Sequence, residues 1–218
     1  MQKIKVEYLY EETVVRVILD DGKANILDGI MMGEINDLLV SLKDKKDVKL
    51  ITFEGAGNNF SYGASVAEHT KDKAAAMLEG FHRMFFSLIS LHIPTLAKLS
   101  GQCLGGGFEL PLACNFIFAV KSAKIGQPEV ILGVFAPPAS VMLPLKVGNA
   151  KAEELLITGK IISAEEAKSW GVSMKSLKIK MPWMRPPTSG SGRTSSERAL
   201  QHCGLRQGLQ GLPLTFSC

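Results

Sequence analysis

Short apolar runs rich in β-branched residues alternate with helical patterns along most of the chain, and this alternation constrains the fold more than any other feature. Ile4 to Tyr10 and Thr13 to Leu19 are two such runs separated by two glutamates, which predicts a β-hairpin. Three further strands are predicted, at Val48 to Phe53, Thr95 to Leu99 and Phe116 to Val120. Strands that alternate with helices predict an α/β fold.

Apolar residues at helical spacing predict the helices between these strands. Asp28 can cap a helix that runs to about Leu42, with Ile30 on its apolar stripe. A second pattern, from about Ala74 to Leu91, is ended by a proline. Four shorter helices are predicted, at Phe108 to Cys114, Pro137 to Val147, Lys151 to Leu156 and Ala164 to Trp170. The strand-strand-helix rhythm suggests a spiral of similar units.

Composition excludes several classes of protein. The net charge of +4 is too mild, and too evenly spread over the first 170 residues, to predict a nucleic-acid partner. The four cysteines form neither a CxxC pair nor a cluster with histidine, so we expect reduced thiols, no disulfide framework and no metal site. No signal-peptide pattern and no membrane-spanning apolar stretch is present, which predicts a soluble cytoplasmic protein without a membrane partner.

The character of the sequence changes after about Val172. Glu197 is the only acidic residue beyond that point, and Gly, Ser, Pro, Arg and Gln dominate without apolar periodicity. We therefore expect a domain over 1–172 and a tail over 173–218 with little regular structure. One hypothesis is that the tail is read in a shifted frame, because moving the frame of the codons for residues 180–185 allows an ordinary helical sequence.

Three stretches carry the chemistry: Phe60 to Val66, Gly101 to Leu110, and Ile125 to Gly133. In the second stretch, three glycines (105–107) precede a helix and can leave backbone N–H groups free to bind an anion. A second N–H from the Gly63-Ala64 turn would complete an oxyanion hole, in which each donor is worth about 3–4 kcal/mol. Taken alone, a glycine triplet more often serves tight packing of a helix on a strand.

Two glutamates lie in apolar company within these stretches. Glu109 is on the first turn of an apolar helix, where it could simply complement the helix dipole. Glu129 follows a proline and precedes three apolar residues. Two carboxyls in such surroundings can have separated pKa values, so that one acts as an acid and the other as a base, which adding water to an alkene requires.

The three stretches resemble, in order and spacing, the signature of the enoyl-CoA hydratase/isomerase (crotonase) family, and the resemblance spans about Ile4 to Val172. It implies the crotonase spiral of ββα units, with acyl-CoA thioesters as substrates, coenzyme A as part of the substrate and no separate cofactor. By motif position, the resemblance assigns the thioester oxygen to the N–H groups of Ala64 and Gly106, and the catalytic carboxyls to Glu109 and Glu129. Residues near the substrate would be Ser61, Gly63, Ser65, Val66 and Gly105.

Gly133 to Ala139, Gly63 to His69 and Phe81 to Phe85 further resemble the branch of cyclohexa-1,5-dienecarbonyl-CoA hydratases, which add water 1,4 to a cyclic dienoyl-CoA. Because many isomerases and thioesterases of the family lack one of the two glutamates, the resemblance favours a hydro-lyase. It gives no role to His69 or His82, and charge alone makes Lys98 and Lys121 candidate partners for a CoA phosphate.

Family members carry C-terminal helices that cover the site and build trimers, commonly stacked into hexamers. We expect this helical part to be truncated or replaced here, so that self-association depends on what the tail permits. Two other functions stay open: a double-bond isomerase that uses a single glutamate, and a catalytically silent protein that binds acyl-CoA. RNA binding has only the charge of +4 in its favour.

Overall fold

A computed structural model of the chain describes residues 1–173 and 175–177. Nine strands and six α-helices are described. The strands are β1 (Ile4–Leu9), β2 (Val14–Leu19), β3 (Leu50–Gly55), β4 (Thr95–Leu99), β5 (Gln102–Leu104), β6 (Phe116–Val120), β7 (Lys124–Gly126), β8 (Ile161–Ser163) and β9 (Lys175–Leu177). The helices are α1 (Gly29–Leu42), α2 (Ala74–Ser90), α3 (Gly106–Ala113), α4 (Pro137–Val147), α5 (Asn149–Thr158) and α6 (Ala164–Ser169).

Two sheets organise these elements. The larger has the strand order β1-β2-β3-β4-β6-β9, in which β1 and β2 form the predicted antiparallel hairpin and the remaining neighbours pair in parallel. The smaller has the order β5-β7-β8. Successive units therefore place one strand in each sheet, β4 and β5 before α3, then β6 and β7 before α4, which is the predicted strand-strand-helix rhythm.

The main core lies between one face of the large sheet and the helices. On β2, Val15, Val17 and Leu19 point into it, while Arg16 points to the other face. Helix α1 contributes a fully apolar stripe and begins as predicted, since the Asp28 side chain accepts a hydrogen bond from the Met31 N–H at 3.0 Å. The position of Ile30 was predicted wrongly, because this side chain is about half exposed and the stripe runs through its neighbours instead.

A row of paired charges crosses the other face of the large sheet. Arg16 on β2 contacts the carboxylates of Glu7 on β1 and Glu54 on β3, and Glu54 also contacts the ammonium of Lys98 on β4. Glu54 and Lys98 are both buried. Lys98 therefore has a structural partner within the sheet, and the idea that it meets a CoA phosphate finds no support.

Strand β9 lies beyond the predicted boundary at residue 172 and pairs in parallel with β6. The rest of the predicted tail, 178–218, lies outside the described residues. Among the residues that are described, no helix has the length and apolar character to cross a bilayer, and no three His, Cys, Asp or Glu side chains are grouped to hold a metal ion.

Candidate active site

The glycine triplet forms the N-terminus of α3. Gly105 has a φ of +53°, in the left-handed region that favours glycine, and its carbonyl accepts hydrogen bonds from the Phe108 and Glu109 N–H groups at 2.7 and 3.0 Å. Since the peptide between residues 105 and 106 is trans and planar, the Gly106 N–H points away from that carbonyl, out of the helix end. The first turn of α3 thus presents a backbone donor.

A second donor comes from the turn that precedes the short 3-10 helix Val66–Glu68. The carbonyl of Gly63 accepts a hydrogen bond from the Leu27 N–H at 2.9 Å. This bond fixes the plane of the peptide between residues 63 and 64, so the Ala64 N–H must point to the opposite side. Gly63 has a φ of +122°, and a side chain there would approach the Leu104 carbonyl to 3.2 Å, so glycine is required.

These two donors lie next to one another. A Cβ built on Gly106 would lie 3.1 Å from the Ala64 nitrogen, and one built on Gly63 would lie 3.9 Å from the Gly106 nitrogen. Within the described part of the chain, neither N–H group donates to another group of the protein. Two adjacent, unused backbone N–H groups have the arrangement of an oxyanion hole. The glycines also allow α3 to pack closely on the segment that contains Ser61, because a Cβ on Gly107 would lie 2.6 Å from the Ser61 hydroxyl oxygen.

Glu109 lies one turn into α3 with 2% of its surface exposed. Its carboxylate does not cap its own helix: it accepts a hydrogen bond at 2.8 Å from the Ala139 N–H, on the first turn of α4. Pro137 and Pro138 have no N–H, so Ala139 supplies the first available donor at that helix end. Burial raises the pKa of Glu109 to about 8, although the hydrogen bond opposes the rise, and the charge of Glu129 adds to it.

Glu129 lies on the 3-10 helix Pro128–Leu132 and approaches the glycine triplet from the other side. A Cβ on Gly105 would be 2.7 Å from its carboxylate oxygen Oε1. With the Gln127 amide turned so that its nitrogen faces the carboxylate, that nitrogen donates to both Glu129 oxygens at 2.9 and 3.0 Å. Burial raises the pKa of Glu129, whereas its own backbone N–H and the positive charge of His69 oppose the rise.

The other predicted site residues differ in how far they are exposed to a ligand. Ser61 is fully buried and its hydroxyl donates to the Asn25 carbonyl at 2.6 Å, so it acts on the site only through the backbone. Ser65 is held to the segment before α1 by a hydrogen bond from its N–H to the Leu27 carbonyl, at 3.1 Å. Val66 is exposed beside the turn, where a ligand could touch it.

Several neighbours of the site were not predicted. Gln127 hydrogen-bonds to Glu129, and Ala139 hydrogen-bonds to Glu109. The tip of the Phe81 ring lies close to Gly106, since a Cβ built on that glycine would be 3.1 Å from the ring atom Cζ. His69 hydrogen-bonds through Nδ1 to the Ser65 carbonyl at 2.7 Å. The Pro137-Pro138 pair was the one sequence signal for the Ala139 donor, and the Gln-Pro-Glu order was the signal for Gln127.

Comparison with known proteins shows the family of the chain. The model of the enoyl-CoA hydratase/isomerase family matches residues 10–177. The chain is 40% identical over 169 residues to cyclohexa-1,5-dienecarbonyl-CoA hydratase of Thauera aromatica, covering 78% of this chain and 66% of that protein. It is 30% identical over 165 residues to carnitinyl-CoA dehydratase of Proteus mirabilis, covering 74% of this chain and 63% of that protein.

The crystal structure of an enoyl-CoA hydratase from Bacillus anthracis superposes with a TM-score of 0.80 at 27% identity, covering 94% of this chain and 76% of that one. The chain thus spans a little less than two thirds of the two relatives compared by sequence. It has the crotonase fold, and it belongs to the enoyl-CoA hydratase/isomerase family.

Proposed function

We propose that the protein is a hydro-lyase that adds water to the conjugated double bond of an unsaturated acyl-CoA thioester. One observation carries the proposal: two unused backbone N–H groups, on Ala64 and Gly106, lie beside two carboxyls in apolar surroundings, on Glu109 and Glu129. The N–H pair suits a carbonyl oxygen that becomes negative, and the carboxyl pair suits the transfer of two protons.

The reaction would begin when the thioester oxygen accepts hydrogen bonds from the Ala64 and Gly106 N–H groups. Drawing electrons toward that oxygen makes the β-carbon electrophilic. One glutamate then takes a proton from a water molecule while the oxygen of that water bonds to the β-carbon. The two N–H groups stabilise the enolate that results. The other glutamate delivers a proton to carbon, so that one water is added in total and coenzyme A stays attached.

The surroundings of the two carboxyls are unequal before substrate binds. Glu109 is almost completely buried and its pKa of about 8 keeps it protonated at neutral pH. For Glu129 the effect of burial is opposed by the charge of His69, and the two hydrogen bonds from Gln127 favour its ionised form. We infer that the proton of the free enzyme resides on Glu109.

For the acyl group we propose cyclohexa-1,5-diene-1-carbonyl-CoA. The support is the 40% identity to the Thauera aromatica hydratase named for this substrate, together with the apolar ring of Phe81 next to the oxyanion hole. In such a diene the hydroxyl adds to one end and the proton to the other, a 1,4 addition. The coenzyme arrives as part of the substrate, so no separate cofactor is proposed.

An ultraviolet assay tests the proposal. The purified chain is mixed with cyclohexa-1,5-diene-1-carbonyl-CoA or with crotonyl-CoA. Loss of the conjugated thioester absorbance is followed for crotonyl-CoA. For the cyclic diene, whose 1,4-addition product keeps one double bond conjugated with the thioester, the change in absorbance as the dienoyl thioester becomes a monoenoyl thioester is followed. We expect faster turnover of the cyclic diene, and a loss of at least about 10²-fold in kcat for Glu109→Gln and for Glu129→Gln separately, as is usual when a general acid or base is removed.

The same variants separate the alternatives. An isomerase that uses one carboxyl would keep most of its activity in one of the two variants. A catalytically silent member of the family would bind the thioesters, seen as a calorimetric signal, and turn over neither of them. Either result would overturn the hydratase proposal.

We also propose that the protein self-associates, as a trimer or hexamer. Six large apolar side chains on the 3-10 helix Pro128–Leu132, the segment after it, α4 and α5 are each about two thirds or more exposed: Ile131, Leu132, Phe135, Val141, Leu145 and Ile157. A surface of this kind is typical of an interface. Light scattering of the wild type and of Leu145→Glu should show an oligomer that the substitution weakens, whereas a monomeric wild type would contradict the proposal.

A further inference from the structure

Asn25 lies outside the three stretches that carry the chemistry, yet it is 2% exposed and hydrogen-bonds through both its side-chain nitrogen and its backbone. Its side-chain nitrogen donates to the carbonyls of Ala56, Asn59 and Phe60 at 3.1, 3.0 and 3.2 Å. Its backbone carbonyl accepts the hydroxyl of Ser61 at 2.6 Å. One residue thus holds the whole turn that leads from β3 into the oxyanion stretch.

From Ser61 the contacts continue to the oxyanion hole. The Ser61 oxygen accepts a hydrogen bond from the Gly63 N–H at 3.1 Å. On either side of Asn25, the Ala24 carbonyl accepts from Tyr62 N–H at 3.0 Å, and Leu27 N–H donates to the Gly63 carbonyl at 2.9 Å. The last of these bonds sets the peptide plane that aims the Ala64 N–H. The segment 24–27, which we call the template, therefore fixes the backbone conformation of residues 61–65 through hydrogen bonds.

The template is itself rigid. The carboxylate of Asp21 accepts four backbone hydrogen bonds, from the N–H groups of Lys23, Ala24, Asn25 and Ile26, at 2.8 to 2.9 Å. Although burial works in the opposite direction, these donors lower the pKa of Asp21. The carboxylate therefore stays ionised and keeps its hydrogen bonds to the four N–H groups.

The identity of residue 25 follows from two requirements that only asparagine meets well. Its φ is +53°, a conformation that glycine, asparagine and aspartate tolerate best. Three carbonyl oxygens face its side chain, so a donor is needed there. Glycine has no donor, and an aspartate would set its charge against those oxygens.

On this basis we propose that Asn25 is a positioning residue for the oxyanion hole, which holds the Ala64 N–H in the orientation that polarises the thioester carbonyl. The inference rests on the proposed function. Asn25 touches no reacting atom; it acts through Ser61, Gly63 and the paired segment 24–27.

Asn25→Gly tests the proposal, since glycine keeps the backbone conformation and the acceptor for Ser61 while the three side-chain bonds are lost. The readout is the absorbance of a bound, slowly reacting arylacryloyl-CoA, which moves to longer wavelength when its carbonyl is polarised. We expect Asn25→Gly to lose most of that shift and to lower kcat by about 10²-fold, the cost of a small misplacement, with KM changed only a few-fold. Ser61→Ala, a second variant that breaks the same chain of contacts, should give the same pattern.

Asn115→Gly is the matched control. Asn115 also holds a strand end through its side chain, accepting from the Thr95 N–H and hydroxyl at 2.8 and 3.0 Å, but it lies beyond the other end of α3. This control should lower the unfolding midpoint and leave the absorbance shift intact.

A full absorbance shift and normal kcat in folded Asn25→Gly and Ser61→Ala would overturn the proposal, as would an equal loss of shift in Asn115→Gly. These outcomes differ from failure of the proposed function, in which the wild type itself would neither shift the absorbance of the bound thioester nor turn over a substrate.

Discussion

The Glu109 carboxylate and the Ala139 N–H are joined by a 2.8 Å hydrogen bond that links the first turns of α3 and α4. The two prolines before Ala139 leave this N–H as the first donor of α4, so the helix end offers the buried carboxylate a single partner. One backbone bond does not offset the loss of water around a charge at that depth. The result is a carboxyl that holds its proton through neutral pH.

A pH dependence of stability follows from this pKa. Between the ordinary pKa of a glutamate, 4.5, and the folded value of about 8, the folded chain retains a proton that the unfolded chain releases. Stability due to this group is therefore fully present below the lower value and decreases as the pH rises, by up to about 1.4 kcal/mol per pH unit.

Glu109→Gln should remove this contribution. Urea unfolding of the wild type and the variant at pH 5, 6, 7 and 8 would show their free energies of unfolding diverging in favour of the variant as the pH rises. A constant difference across the range would mean that Glu109 is ionised in the folded protein.

The closeness of Gly105 to Glu129 leads to a second prediction. Gly105→Ala would place a methyl group 2.7 Å from the Glu129 carboxylate oxygen and force alanine into a backbone conformation with positive φ that side chains rarely adopt, at a cost of about 1–3 kcal/mol. We expect activity to fall by about 10²-fold as the carboxylate is displaced.

Gly33→Ala is the control for that substitution. Gly33 lies within α1, where an added Cβ meets no atom within 4 Å. Alanine there should raise the free energy of unfolding by about 0.5–1 kcal/mol and leave turnover unchanged. Equal activity of the two glycine variants would show that Glu129 does not need its observed position.

His69 provides a third prediction, about the pH profile. When protonated, this histidine lowers the pKa of Glu129, and its ring is held by the Ser65 carbonyl next to the oxyanion stretch. The charge of Glu129 in turn raises the pKa of Glu109. His69→Gln should therefore raise the pKa of Glu129 and move the limb of the kcat/KM profile that reports Glu129 to higher pH.

His92→Gln serves as the comparison, because His92 is likewise bound through Nδ1 to a nearby carbonyl, that of Ser90, and contributes no charge effect to Glu129. Its profile should match that of the wild type. If neither limb moves in His69→Gln, the histidine does not tune the site.

The fourth prediction concerns the charged row on the large sheet. Glu54→Gln would leave Arg16 and Lys98, both largely buried, without the carboxylate they share, and should destabilise the fold by about 3 kcal/mol. The exposed pair of Glu79 and Arg83 on α2 is the matched case, and Glu79→Gln should change stability by less than about 0.5 kcal/mol. Similar unfolding midpoints for the two variants would contradict the structural role assigned to the row.

The longer elements could be predicted from the sequence because burial of one face leaves a periodic pattern. Helix α1, with Asp28 as its cap, and strand β6 are examples. The three-residue strands β5, β7 and β8 were missed, since three residues are too few to show alternation and their pairing is set by tertiary contacts.

For the site, motif order indicated which backbone N–H groups and carboxyls to examine, and the structure brings Ala64, Gly106 and Glu129 together around Gly105. The contacts that hold these groups in position could not be predicted from the sequence. The Asn25 side chain meets carbonyls more than thirty residues away, and a sequence pattern of local period carries no record of such a contact.

The most direct test of the central claim is incorporation of solvent oxygen. The chain is incubated with cyclohexa-1,5-diene-1-carbonyl-CoA in H₂¹⁸O, and the acyl-CoA product is examined by mass spectrometry. We predict a product heavier than the substrate by one molecule of H₂¹⁸O, formed at least about 10²-fold more slowly with Glu109→Gln or Glu129→Gln. A product of unchanged mass, or unaltered substrate with the folded wild type, would contradict the claim that this site hydrates an unsaturated thioester.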